Sequence, residues 1–384
     1  MVQAIPSLPH SWSELSWQQL TACWEVKMRY GGNADVARAA ALLALCGCTS
    51  IRHNDITSLR YDETTGETLY RLKGKGSNLW SLSPRQLSWI ARQALPWFDW
   101  PYGDPGEKEE RDDKGNIVKE GREAVSGYVS AMRDVMILPE TEIVIVGDRM
   151  IPGSEWEHMS EKERKLSTLN SKLSTLHFSL PQVACNNITW QQYRSLQAIA
   201  PQLFQEGITE TEAIDLQAQF LAQCLVPAQS SEPTADKFRP RHIYRYDAER
   251  AEQTIDFWKE KLAKEAKKNN SSLHSRAELA YPSPFTLHSS LSILFHLCFQ
   301  CYQTALLYYE KVYPLLFTGS SKQDTLRDAL QGEVGTVNTV MKYAGYAEQQ
   351  QVYDSNLPFV LDILNTMARE AKEIEKMNAK IKKK

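Results

Sequence analysis

"ELSWQQL" at residues 14–20 and "NITWQQY" at residues 187–193 spell nearly the same word about half a chain apart. Both read as helix starts. In the first, Ser16 is the N-cap, and its hydroxyl accepts from the backbone N–H of Gln19. The Gln19 side chain reaches back to the Ser16 N–H, which makes a capping box. Leu15, just before the cap, staples onto Leu20. In the second, Thr189 caps, Gln192 reciprocates, and Ile188 staples onto Tyr193. Leu8-Pro9 precedes one copy and Leu180-Pro181 the other, and a single one-residue gap aligns both landmarks.

The resemblance between the copies continues downstream. A first helix is expected to run to about Tyr30, stopped by Gly31-Gly32, and to be followed by the Ala-rich "DVARAAALLALC", ending at Gly47. After the second word a helix is expected to about Glu206, stopped by Gly207. Thr209 and Glu212 then cap "TEAIDLQAQFLAQCL". Capping boxes arise often by chance. The shared Trp-Gln-Gln, the shared Leu-Pro entry and the shared plan favour an internal duplication of helical hairpins. Trp17 and Trp190 are expected to be packing residues.

Strand signals lie between and after these units. "ETLYRL" (67–72) and "NLWSL" (78–82) flank the polar turn "KGKGS", a β-hairpin pattern without the spacing of a phosphate loop. Ser83 and Pro84 open the helix "PRQLSWIARQAL". The aromatic turn "WFDWPYGDP" (97–105) suits either a docking surface or, more commonly, the closure of a small core. "TEIVIVGD" (141–148) is a strand, and another is expected near 174–179.

The expected organisation is mainly α, of α+β type. It has helical hairpins, small β-hairpins, an internal duplication and a long C-terminal helix. A first α+β unit spans 1–102, a charged linker or insertion 103–140, a second unit 141–226 and a Pro/Ser-rich linker 227–246. A helical region covers 247–356, and a terminal amphipathic or coiled-coil helix covers 357–384. Within the helical region, 247–268 is a charged amphipathic helix with Ile255, Trp258 and Leu262 on one face. Residues 324–346 read as a helix interrupted by glycines. From Leu279 to Tyr309 there is no Lys, Arg, Asp or Glu. This run has the length of a membrane span. Its internal His296, Gln300 and Gln303 and the sparse flanking basic residues favour a buried core helix over about 285–313.

Bulk composition is that of an ordinary soluble globular protein. Of 384 residues, 24% are charged and 42% hydrophobic, and the net charge is −3. That balance argues against wholesale nucleic-acid coating. No secretory leader is visible in "MVQAIPSLPHSWSELSW". The seven cysteines are scattered and odd in number, which fits a reducing, intracellular setting.

No catalytic signature emerges. Cys46, Cys48, Cys298 and Cys301 are the zinc candidates, but Cys298 and Cys301 sit in an apolar helical run and read as buried hydrophobes. Ser50, His53 and Asp55 are a triplet of the kind any long chain offers. No cofactor, no metal and no enzymatic activity are expected.

The C-terminus carries the interaction signal. Leu357, Leu364, Ala371 and Asn378 recur at one heptad position, and Val360, Met367, Ile374 and Ile381 at the other. Leu357, Val360, Leu364, Met367 and Ile374 are therefore the candidate partner contacts, with self-association through this helix as a second use. "GEVGTVNTVMKYAGYAEQQQVYDSNLPFVLDILNTMAREAKEIEKMNAKIKKK" and "LPQVACNNITWQQYRSLQ" resemble proteins of phage and prophage tail modules, some of which look like tail-assembly chaperones. The resemblance implies a non-enzymatic cytoplasmic helper in a bacterial host, holding a long helical tail protein such as a tape measure. The alternatives are a permanent virion component (neck, baseplate or connector) and, remotely, an unrecognised intracellular enzyme. Neither specific nucleic acid nor membrane is an expected partner.

Overall fold

The computed structural model describes residues 8–30, 33–46, 60–62, 67–73, 79–101, parts of 106–121, 135–147, 149–160, 162–164, 175–232, 241–274, 291–317 and 326–381. Among them the chain runs α1 (Trp17–Tyr30), α2 (Ala34–Leu45), β1 (Arg60–Asp62), β2 (Glu67–Lys73), β3 (Leu79–Leu82) and α3 (Pro84–Ala94). Next come β4 (Glu110–Arg111), β5 (Ile117–Lys119), β6 (Glu142–Val146), β7 (Arg149–Pro152), α4 (Gly153–His158) and β8 (Leu176–Ser179). Then follow α5 (Trp190–Ile199), α6 (Glu210–Cys224), β9 (Val226–Glu232), β10 (Arg241–Tyr244) and α7 (Ala248–His274). The last helices are α8 (Leu291–Val312), α9 (Pro314–Phe317), α10 (Leu326–Ala344), α11 (Gln349–Tyr353) and α12 (Leu357–Ile381). The fold is mainly helical with small antiparallel sheets, as the sequence led us to expect.

Both repeated words open helices, with Trp17 and Trp190 as their first residues. The Ser16 N–H donates to Gln19 Oε1 at 3.0 Å and the Gln19 N–H to Ser16 Oγ at 3.4 Å. The Thr189 N–H donates to Gln192 Oε1 at 2.8 Å and the Gln192 N–H to Thr189 Oγ1 at 3.2 Å. Ser83–Gln86 and Thr209–Glu212 close two further capping boxes. Each word introduces the same order of elements: two helices packed on each other, antiparallel strands, then a helix packed on the second of the pair. Gly31, Gly32 and Gly47, the "GKGS" part of the turn after Lys73 and the Ser50–His53–Asp55 triplet lie outside the described residues.

One aromatic knot closes the first unit. Trp12 is fully buried, edge-on to Trp24 and Trp97 and stacked on Phe98 with ring centroids 5.4 Å apart. Its indole N–H reaches the Trp97 and Phe98 carbonyls, and the Trp97 indole N–H reaches the Pro9 carbonyl at 2.9 Å. The aromatic turn therefore closes a core, because rings this large gain most when buried with their N–H groups satisfied.

The larger sheet has the order β10-β9-β8-β6-β7, antiparallel throughout. One face sends Ile143, Ile145 and Phe178 into the main core, where Phe178 packs on Trp258 of α7. Val144, Val146 and Ile151 form a separate small cluster with Trp156 and Met159. α8 passes through the main core, and Phe220 of α6 meets its Phe295, Phe299 and Tyr302. By length and composition α8 could cross a membrane, but here most of its apolar side chains are covered by protein.

Several expected boundaries change. The linker expected over 227–246 supplies β9 and β10, because Val226 and Pro227 pair with Ser179 and Phe178 and extend the sheet. β10 is the edge of the sheet and β9 joins β8 only through Val226 and Pro227, so a polar composition that resembles a linker can still form these strands. The insertion expected over 103–140 ends in core residues, with Val135, Met136 and Leu138 all buried. The expected break in 324–346 is absent: α10 is continuous through Gly332 and Gly335. A glycine costs a helix only about 1 kcal/mol, which packing against neighbouring helices outweighs. Finally, the terminal helix is not a separate piece, since its first turns are built into the body.

Candidate functional site

The start of α12 is tied to the start of α5. The Trp190 N–H donates to the Ser355 carbonyl at 2.8 Å and the Leu357 N–H to the Ile188 carbonyl at 2.9 Å. Thr189 and Asn356 thus form a short antiparallel bridge that joins two helix starts. From this anchor Leu357, Val360 and Leu361 turn inward and are buried. Leu364 and Met367 are partly buried, and every residue from Arg369 to Ile381 is exposed. The reason is length. A helix of 25 residues spans about 37 Å, and its last three turns run beyond the elements that cover its first.

The five candidate contacts therefore divide. Leu357 and Val360 belong to the chain's own core and are not on offer to a partner in this state. Leu364 and Met367 line a groove, and Ile374 stands in the open, 53% exposed. Met377 and Ile381 continue the exposed stripe from Ile374, at three and seven residues' remove on one helix face. Arg369, Glu370, Lys372, Glu373 and Glu375 flank its beginning, and Lys376 and Lys380 its end, so charges of both signs border it.

The groove, 690 Å³ in volume, lies between α5, α9, α10 and α12. Trp190, Arg194, Phe317 and Glu333 line it together with Leu364 and Met367. Arg194 and Glu333 face each other across it at 3.4 Å, and the Tyr353 hydroxyl donates to Glu333 at the same distance. Gly332 and Gly335 form part of its wall, and a Cβ on either would meet nothing within 4 Å. Their missing side chains leave room over this stretch of α10. Sequence reasoning missed the groove, because its wall needs α5 to meet three helices from the far end of the chain.

It also missed a polar cluster on the larger sheet. Glu142, His177 and His242 sit on β6, β8 and β10, and their ligand-type atoms all lie within 4.8 Å of one another. His177 Nδ1 meets Glu142 Oε1 at 2.5 Å, and the His177 and His242 rings stack with centroids 3.8 Å apart. Trp156 of α4 stands edge-on to His177. Burial would raise the Glu142 carboxyl, but the His177 hydrogen bond and the neighbouring Tyr244 hydroxyl outweigh it and hold the carboxyl below its ordinary value. Burial first, and that carboxylate second, push the Tyr244 hydroxyl above the usual phenol range. The hydroxyl interacts with the carboxylate electrostatically without being aligned as a hydrogen bond. His242 is held below the usual histidine range by burial and then by His177.

Cys185, Cys224, Cys298 and Cys301 are buried near enough to act on one another's thiols, but no cysteine belongs to a group able to hold a metal ion among the described residues. Cys298 and Cys301 are buried in α8, and burial raises both thiols well above their usual range. Cys46 is partly covered at the end of α2, and Cys48 lies outside the described residues. No protein-family model, no curated protein and no solved structure matches this chain.

Proposed function

We propose that the chain acts by holding a helical protein partner rather than by catalysing a reaction. The reading is of a phage or prophage tail-assembly chaperone or adaptor in the cytoplasm of a bacterial host, with a long helical tail protein as its client. Neither nucleic acid nor membrane is part of this reading. The observation that supports it best is the free end of α12, whose exposed Ile374, Met377 and Ile381 continue from the groove walls Leu364 and Met367. An amphipathic helix laid along this stripe would cover it. Charges of both signs along the stripe favour a client helix that also carries both signs beside its apolar face. Burying three such side chains is worth about 5 kcal/mol before association costs, which suits a reversible complex more than a permanent one. The shared order of elements after Trp17 and Trp190 supports descent of the two units from one duplicated unit.

A photo-crosslinker at position 374 of the full chain, activated in induced cells, tests the function. The expected product joins position 374 to a heptad-bearing segment of a tail protein, while purified particles lack the chain. Crosslinks only to second copies of the chain would make the stripe a homotypic contact. The chain at fixed copy number in particles would make it a structural component. Either result overturns the chaperone reading.

A further inference from the structure

We propose that Glu142, His177 and His242 form a binding site for a divalent transition-metal ion of the zinc class. The register explains their convergence. Val144 pairs with His177 and Glu142 with Ser179, so Glu142 and His177 lie diagonally on one face of neighbouring strands. That face is opposite the one carrying Ile143 and Phe178 into the core. β10 brings His242 over the same face until the two imidazoles stack. Three strands distant in sequence thus deliver two nitrogen donors and one carboxylate to a single spot.

The surroundings hold these groups in place. A Cβ on Gly153 would stand 2.9 Å from the Glu142 Cβ and 3.1 Å from its carbonyl oxygen, so glycine lets the start of α4 pack this closely on the Glu142 stem. Trp156 braces His177, and Tyr244 adjoins the carboxylate from the far strand. Such neighbours orient ligands in metal sites. The donor set selects the ion. Two imidazoles and one carboxylate suit Zn²⁺ and its borderline relatives, whereas Mg²⁺ and Ca²⁺ take oxygen ligands. Three protein ligands leave one position of a tetrahedral ion for water or another donor.

The test uses the full chain, purified without a histidine tag and stripped with chelator. Zn²⁺ is added calorimetrically, and Co²⁺ is followed by its visible absorption. One ion per chain is expected, with Co²⁺ bands of nitrogen-and-oxygen coordination. His242→Ala and Glu142→Gln should each weaken Zn²⁺ binding by about tenfold or more. His10→Ala, at an exposed histidine elsewhere, should leave binding unchanged. Metal-free His242→Ala should keep the circular dichroism and melting temperature of the parent, so that lost binding is not lost folding. Absence of stoichiometric Zn²⁺ binding by the parent chain overturns the site. So does undiminished binding by both His242→Ala and Glu142→Gln.

Discussion

Gln19 and Gln192 hold the same place in the same word, yet the fold gives them different weight. Gln19 is only half covered, and its carbonyl oxygen accepts from the N–H of exposed Ser16, so water replaces that bond if it is lost. Gln192 is wholly buried. It accepts from the Thr189 N–H at 2.8 Å, and its amide donates to the Gln223 carbonyl at 2.6 Å, joining the start of α5 to the end of α6. Gln192→Ala leaves one buried and one partly buried backbone group without these partners and should cost about 2–3 kcal/mol. Gln19→Ala should cost less than about 1 kcal/mol. Urea unfolding of the two variants measures the difference, and equal costs would contradict the burial of Gln192. The local chemistry of both boxes was legible because it spans only three residues. Which box is indispensable was not, because Gln223 lies on another helix.

At the scale of elements, the periodic patterns located most helices well. α1 ends at Tyr30, α6 begins after its Thr209 cap, and α3 begins at Pro84 after its Ser83 cap, all as their residues suggest. Glycine and proline misled where packing overrules propensity: α10 runs straight through Gly332 and Gly335, and Pro314 opens α9 instead of only closing α8. Gly335→Ala tests this reading. The added methyl group meets open space and reduces backbone freedom in the unfolded chain, so stability should rise by about 0.5–1 kcal/mol. A thermal melt reads the gain, and a loss of stability would mean that the groove wall is tighter than described. The same variant narrows the groove, so client crosslinking at position 374 should weaken even as the protein becomes more stable.

For the whole molecule, the question is which parts of the terminal helix belong to the fold. Removing residues 369–384 deletes only exposed side chains among the described ones, so stability should change by no more than about 0.5 kcal/mol. Removing residues from 357 onward also deletes Leu357, Val360 and Leu361 and the bridge to Ile188, so that truncation should fail to fold cooperatively. Melting curves of the two truncations separate the outcomes, and a large loss from the shorter deletion would mean that the free end packs on the body. By itself the sequence determined the helix starts and the heptad, since each is written in residues a few positions apart and acts through local hydrogen bonds or one helix face, whereas the aromatic closure needed Trp12 and Trp97 to meet from distant parts of the chain. Only the tertiary structure decided that the heptad is half core and half surface, that four helices enclose a groove, and that Glu142, His177 and His242 meet. Those outcomes depend on strand register and on which neighbours cover a face, and both are set by contacts between residues far apart in the chain.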